Sequence, residues 1–394
     1  MESSKLLIKN GKIITVSGEV IEKGDILIKN GKIADIGLDI NEKDCNVIDA
    51  RGLVVTPGLI DAHCHLGMFE DSVGDVGNDA NESTDPITPH LRAIDGINPM
   101  DRYFKEALSG GVTTVCTGPG SSNILAGSFT IIKTYGKRID KMILKESCAI
   151  KAAFGENPKS NFGGKGQAPK TRMAIASMLR ETLYGAKDYL YRKENAKKGE
   201  HVKYNIKYES LIPLLKREIP LKVHAHRADD IFTAIRIIKE FNLKATLDHC
   251  TEGHLIADEL LEEGFNIIAG PALSDRSKVE VANLSFETAK CLNDKGLLVA
   301  IITDHPEVPI NRINVCAALC VKEGVSNEDA LKMITINPAK ILGIDKRVGS
   351  IEIGKDGDIA IFDGDPLDIR SNVKYTIVQG KLVYFSWLFN AYTI

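Results

Sequence analysis

The chain has 394 residues, with 50 Lys and Arg against 53 Asp and Glu and a formal charge of −3. A hydrophobic fraction of 43% excludes wholesale disorder. A pI near 6.3 argues against a nucleic-acid partner, which calls for a basic surface, and no run approaches the roughly 18 apolar residues of a membrane span.

The first fifty residues read as short strands and turns. Ile8-Lys-Asn-Gly-Lys-Ile13 returns as Ile28-Lys-Asn-Gly-Lys-Ile33, and Asn-Gly between β-branched residues favours the positive-φ turn of a hairpin. Similar phrases recur only near the other end, at Ile351–Phe362 and Val378-Gln-Gly-Lys-Leu-Val383. Both ends are therefore expected to fold together, residues 1–56 plus 343–394 forming one small β-sandwich. From 57 to 342 the pattern changes to apolar runs separated by longer helix-patterned stretches, the signature of parallel strands with crossover helices. Strands are expected at Gly58–His65, Val112–Thr117, Phe129–Lys133, Cys148–Phe154, Leu221–His226, Ala245–Cys250, Phe265–Gly270 and Leu297–Asp304. Eight such runs suit an α/β fold of the (β/α)8 TIM-barrel type. The Gly118–Ser128 connection is too short for a normal helix, whereas 171–218 is long and charged enough for one or two outer helices.

Two loops follow strands, where such a barrel builds its active site. Leu66–His90 carries six acids and no Lys or Arg, and Gly155–Lys170 contains Gly163, Gly164 and Gly166. The glycines miss the Gly-x4-Gly-Lys-[Ser/Thr] pattern, and no His-Glu-x-x-His occurs, so neither a P-loop nor a zincin is supported. The segment Phe385–Phe389 is apolar enough to dock on the sandwich or on a second subunit of a homo-oligomer, and the sequence leaves both open. Eight cysteines without a Cys-x-x-Cys spacing are not a disulfide framework. Met1–Lys12 lacks the apolar core of a secretory peptide. A cytoplasmic protein with reduced, buried thiols is expected.

Nine histidines are few, but seven of them lie at or just beyond the C-terminal ends of the expected strands; only His90 and His201 fall elsewhere. His63 and His65 are two apart on the first strand, so both imidazoles share a face. His224 and His226 repeat the spacing on the fifth strand, His249 ends the sixth and Asp304 ends the eighth. Imidazoles and a carboxylate converging on one point suit zinc or a similar divalent ion. Taken singly, each has a bland reading, because an isolated His-x-His is often incidental and an Asp after a strand commonly caps a helix. Cys64 and Cys250 have the opposite parity to their ligand neighbours, and with Cys116 they read as core.

Pro57-Gly-Leu-Ile-Asp-Ala-His-Cys-His65, with His224, His249 and Thr303-Asp304, resembles the amidohydrolase superfamily, and more narrowly its imidazolonepropionase-like and prolidase-like branch. Asn337-Pro-Ala-Lys-Ile-Leu-Gly343 and the Gly349–Ala360 segment are similar to that family's exit from the barrel. The resemblance implies one or two divalent metal ions, zinc foremost. His63, His65 and Asp304 would hold the more buried one, and His224 and His249 the second. Many relatives bridge two ions with a carboxylated lysine on the fourth strand, where Lys151 stands; Glu156 is a rival ligand. His226 would touch substrate or replace a ligand, and His254 and His305 would lie near the ligands or in loops. A bound divalent ion lowers the pKa of water to about 7, and Asp304 would take the proton as general base and return it as general acid. His249 or Arg227 would stabilise the oxyanion, and Arg227 is also placed to pair a substrate carboxylate.

The implied activity is metal-dependent hydrolysis of a C–N bond in a small-molecule amide or cyclic amide. One alternative is a deaminase on the same barrel, against which stands Arg227 where such relatives place a catalytic Glu. The other is a non-catalytic metal-binding or assembly protein, although such members usually lose ligands that are all present here.

Overall fold

A computed structural model describes residues 5–386. In chain order the strands are β1 (Lys5–Ile14), β2 (Val20–Lys29), β3 (Lys32–Gly37), β4 (Asn46–Asp49), β5 (Val54–Pro57), β6 (Leu59–Cys64), β7 (Val112–Thr117), β8 (Leu125–Lys133), β9 (Ile143–Ala153), β10 (Leu221–Ala225), β11 (Ala245–His249), β12 (Asn266–Ala269), β13 (Val299–Ile301), β14 (Ile359–Phe362), β15 (Val373–Val378) and β16 (Lys381–Phe385). The helices are α1 (Arg102–Ser109), α2 (Glu156–Gly163), α3 (Arg172–Asn195), α4 (Ile206–Leu215), α5 (Ala228–Glu240), α6 (Ala257–Glu263), α7 (Glu287–Asp294), α8 (Ile313–Lys322), α9 (Asn327–Lys332) and α10 (Ile336–Leu342).

The two chain ends do combine. Their strands form one continuous sheet in the order β16-β15-β14-β5-β1-β2-β3, with β4 on β1. The expected sandwich is thus joined by hydrogen bonds into a single sheet, because β5 pairs with β1 on one side and β14 on the other. Ile8, Ile26, Ile28, Val55, Ile359 and Ile377 meet in its core. Asn30-Gly31 makes the expected turn between β2 and β3, with φ of 51° and 79°. Asn10-Gly11 does not. Its chain runs on through β1 as a bulge, with register shifts on both sides of Gly11. The bulge lets one strand serve two neighbours: Leu6–Lys9 pair with β4, and Lys12–Ile13 with β5. A side chain at Gly11 would come within 2.6 Å of Val55 Cγ2, so close approach of β5 explains the glycine.

The second sheet, in the order β6 to β13, has eight strands among the described residues. Apart from the first five residues of β9, their side chains are nearly all buried, as expected of strands covered on both faces. The expectation of a uniformly parallel barrel needs correction. β8 is antiparallel to both β7 and β9, while the remaining pairings are parallel. The connections on either side of β8, 118–124 and 134–142, are too short for crossover helices, so this third of the barrel is a meander. The sheet is nearly closed. Across the gap between β13 and β6, Ile301 N–H donates to Met333 O (3.0 Å) and Ile60 N–H to Ile334 O (2.8 Å).

Helices cover the parallel part. The charged 171–218 stretch becomes α3 and α4, and α3 buries Ile175, Leu179, Leu183 and Ala186, one face at helical spacing. The outer side of the terminal sheet meets the barrel through Ala360, Phe362 and Val373. There the buried Lys133 of β8 pairs with Asp356 (3.1 Å) and Asp358. No described helix is long and apolar enough to cross a membrane. Of the apolar Phe385–Phe389 segment, residues 387–389 lie outside the described residues.

Candidate metal centre

The C-terminal ends of β6, β10, β11 and β13 bring His63, His65, His224, His226, His249 and Asp304 to one point. Several of the imidazoles are held by a partner that defines the tautomer. His65 Nδ1 lies 2.7 Å from Gly118 O and His249 Nδ1 2.8 Å from Gly270 O. A carbonyl only accepts, so Nδ1 carries the proton and Nε2 is left with its lone pair. His63 Nδ1 lies 2.5 Å from Asp248 Oδ2, which leaves its Nε2 3.5 Å from Asp304 Oδ1 and 2.9 Å from Lys151 Nζ. His65 Nε2 stands 3.2 Å from the same Asp304 oxygen. His226 Nδ1 is held by Thr251 Oγ1 at 2.7 Å.

Two overlapping groups result. Ligand atoms of His63, His249 and Asp304 lie within 4.8 Å of one another, and so do those of His224, His226 and His249. Three buried atoms in these groups have no hydrogen-bond partner: His224 Nδ1, His249 Nε2 and Asp304 Oδ1. Leaving a buried polar atom unsatisfied costs about 1–3 kcal/mol, and a cation in either group would offer these atoms a partner. The residues therefore fit a divalent metal. Burial holds His63, His224 and His249 well below the ordinary imidazole value, in the neutral form that ligates. For Asp304 burial acts upward, but the charges around it, Lys151 among them, bring the carboxyl below its usual range. Backbone strain accompanies the site: His249 has φ 70° and Asp304 φ 50°, left-handed values that a non-glycine residue adopts at a cost of about 1 kcal/mol or more.

Beneath the histidines lie charges that strand patterning did not single out. Asp248 Oδ2 is shared by His63 and by Lys222 Nζ, the latter at 2.8 Å, and all three side chains are buried. Lys222 has the parity of His224 and so was open to detection. Asp248 was not, because alternation assigns it the face opposite His249; both turn inward because the chain goes left-handed at His249. Lys151 is fully buried beside His63, and burial lowers its ammonium to about 8 against the pull of Asp248 and Asp304. Asp61 ties β6 to the end of β13: its carboxylate accepts from His63 N–H (3.0 Å), Thr303 N–H (3.1 Å) and Thr303 Oγ1–H (2.5 Å).

Other residues named from the sequence sit apart. Glu156 belongs to neither ligand group among the described residues; its backbone N–H donates to Glu280 Oε2 at 2.7 Å. Arg227 has its guanidinium on Asp229 (2.9 and 3.1 Å) and does not line the cavity over the histidines. His254 is held by Thr288 Oγ1, and His305 packs on Tyr103, ring centres 4.2 Å apart. That cavity has a volume of about 290 Å³ and is lined by His65, His224, His226 and Asp304 together with Asn157 and Lys278. A larger one, about 1390 Å³, lies against β1, α9 and α10 and contains none of these histidines. Glu280 and Lys278, from the irregular loop after β12, were invisible to periodicity. Glu280 is 1% exposed, with Oε1 3.9 Å from both His224 Nε2 and His226 Nε2.

Comparison with known proteins bears on the family. The model of the Amidohydrolase family matches residues 215–383. The crystal structure of an amidohydrolase from Thermotoga maritima MSB8 is 40% identical, with a TM-score of 0.94, over 97% of this chain and all of that one. Amidohydrolase tasK of Hapsidospora irregularis is 27% identical over 83% of this chain, which spans only 36% of that longer protein. The narrower branch is represented by the imidazolonepropionase of Thermoplasma volcanium, 25% identical over 98% of this chain and 91% of that protein. The chain belongs to the amidohydrolase family and is a hydrolase acting on carbon–nitrogen bonds.

Proposed function

We propose that the protein hydrolyses an amide or cyclic amide of a small molecule with the help of one or two divalent metal ions. The observation that carries this reading is the pair of buried ligand groups that share His249, namely His63, His249 and Asp304, and His224, His226 and His249, with His224, His226 and Asp304 lining a cavity of about 290 Å³. His63, His65 and Asp304 would hold one ion and His224 and His249 the other, with His226 as an alternative ligand. Zinc suits this set of nitrogen and oxygen donors. Lys151 is the bridging candidate as a carbamate, formed when the neutral amine adds CO2 and releases a proton. Its lowered ammonium value, about 8, supports that reading over Glu156. The chemistry supplied by a divalent ion held here is a lowered pKa for coordinated water and polarisation of the amide carbonyl.

The remaining work falls to the chain. Asp304, whose carboxyl lies below its usual range, accepts the proton of the attacking water and delivers it to the leaving nitrogen. Asp248 orients His63, and the carbonyls of Gly118 and Gly270 orient His65 and His249, as supporting groups do for metal-ligating histidines. Arg227, engaged by Asp229 and away from the cavity, is not needed.

Metal analysis coupled to a screen of dipeptides, N-acyl amino acids and lactam-type rings tests the proposal. Bound metal and turnover of one class are expected, with Asp304→Asn losing at least about 100-fold in kcat. A protein that neither retains nor takes up metal would favour the non-catalytic assembly reading. An Asp304→Asn variant with its metal and full turnover would remove Asp304 from the chemistry.

A further inference from the structure

On the cavity wall beside His224, one cation stands ready for a ligand. Among the described residues lining the cavity, Lys278 is the single lysine or arginine. Its Nζ lies 2.8 Å from Asn157 Oδ1 and 2.8 Å from Glu280 Oε1, acceptors on two different elements that hold it on the wall rather than out in solvent. Asn157 is itself fixed: its Nδ2 donates to Ser121 Oγ at 2.7 Å and lies 3.4 Å from His224 Nε2. The clasp is also built from behind. Glu280 Oε2 receives the Glu156 N–H, the first of α2, and reaches it only because residue 155 is a glycine. A Cβ there, at φ +84°, would fall 2.4 Å from that oxygen.

An ammonium has three N–H donors, and the clasp occupies two directions. The third is left for a ligand, and the Lys278 side chain, which lines the cavity, is 30% exposed. Glu280, with a 1% exposed side chain and both oxygens engaged, is closed to substrate. Asp275 and Glu307 also line the cavity and would draw a cation instead, but neither is tied to the metal-facing histidines as Lys278 is through Asn157.

We propose that Lys278 selects substrates bearing a carboxylate, anchoring that group on the cavity wall next to the scissile amide. This specifies the substrate class and rests on the hydrolase reading above, with Lys278 in the anchoring role that the sequence had assigned to Arg227.

The test uses binding, which does not depend on turnover. The zinc-loaded protein is titrated by calorimetry with a panel of N-acetyl amino acids, each paired with its carboxamide. Wild type is expected to bind at least one acid more tightly than its amide. Lys278→Met should weaken that acid about 10- to 100-fold, the worth of a charge-assisted hydrogen bond, while binding the amide like wild type and keeping its metal content. Lys278→Arg should recover much of the difference. If wild type shows no preference for any acid, including no binding at all, the proposal is overturned. Equal weakening of acid and amide in Lys278→Met also overturns it, because Lys278 would then only hold Glu280 in place. Selective binding without hydrolysis of any acid would sustain the anchor and sink the hydrolase reading.

Discussion

Changing Asp248 to Asn keeps the shape of the side chain and removes the charge that two neighbours share. Asp248 is fully buried, with Oδ2 2.5 Å from His63 Nδ1 and 2.8 Å from Lys222 Nζ, and Oδ1 accepting from Thr246 Oγ1 at 2.7 Å. Burial works against the Lys222 ammonium, but Asp248, with the thiols of Cys116 and Cys148, more than offsets it and raises the lysine. Without the carboxylate, a lysine that is 1% exposed loses its counter-charge. Breaking a buried pair in this way costs about 3–5 kcal/mol, and deprotonation of the lysine caps the loss. A second cost falls on the metal. Removing the group behind a ligating histidine lowers metal affinity about 10- to 100-fold, or about 1.4–2.8 kcal/mol. The two effects separate in Asp248→Asn/Lys222→Met, in which the stranded Lys222 charge is gone and Lys151 keeps Asp304, but His63 still lacks its carboxylate. Urea unfolding of the metal-free proteins and chelator competition for zinc measure each part. The double variant should recover most of the stability and none of the affinity. Zinc affinity within twofold of wild type in the single variant, or a double variant as unstable as the single, would refute the reasoning.

Two further substitutions probe the frame around the site. Gly155→Ala combines a left-handed φ with a 2.4 Å approach to Glu280 Oε2. It should cost about 1–3 kcal/mol in urea unfolding and weaken acid binding by loosening the Lys278 clasp; a variant as stable as wild type would show that Glu280 moves aside freely. Lys133→Met takes the barrel lysine from buried Asp358 and Asp356, of which only Asp356 keeps other cations, Lys32 and Arg347, with an expected loss of about 3–5 kcal/mol at neutral pH. In the wild-type protein burial pushes the Asp356 carboxyl up, but Lys133, Lys32 and Arg347 outweigh it and hold it below its ordinary 3.8. That contribution is therefore full above about 3.8 and fades as pH falls through the lowered value. The stability gap between variant and wild type should narrow in the same acid range, and a gap independent of pH would count against the ion pair as its source.

Much of the candidate site was legible because metal ligation uses few residue types and strands alternate. His63 and His65, then His224 and His226, needed only period two and a strand end to be placed together. Asn30-Gly31 was legible as a turn because its backbone requirement is local. The same dipeptide at Asn10-Gly11 misled, since a bulge and a turn use the same positive φ and only the neighbouring β4 and β5 decide between them. The direction of β8 was foreshadowed by its short connections, which leave no room for a crossover helix.

By itself the sequence determined which chemistry-bearing side chains stand at the strand ends, since periodicity and turn chemistry act over a few residues. Only the tertiary structure decided what those side chains meet. Asp248 reaches His63 across 185 positions of chain, through the stagger of the barrel and a left-handed residue. Lys278 and Glu280 arrive from a loop without any period. Such contacts depend on how distant segments pack, and no local pattern encodes a packing partner.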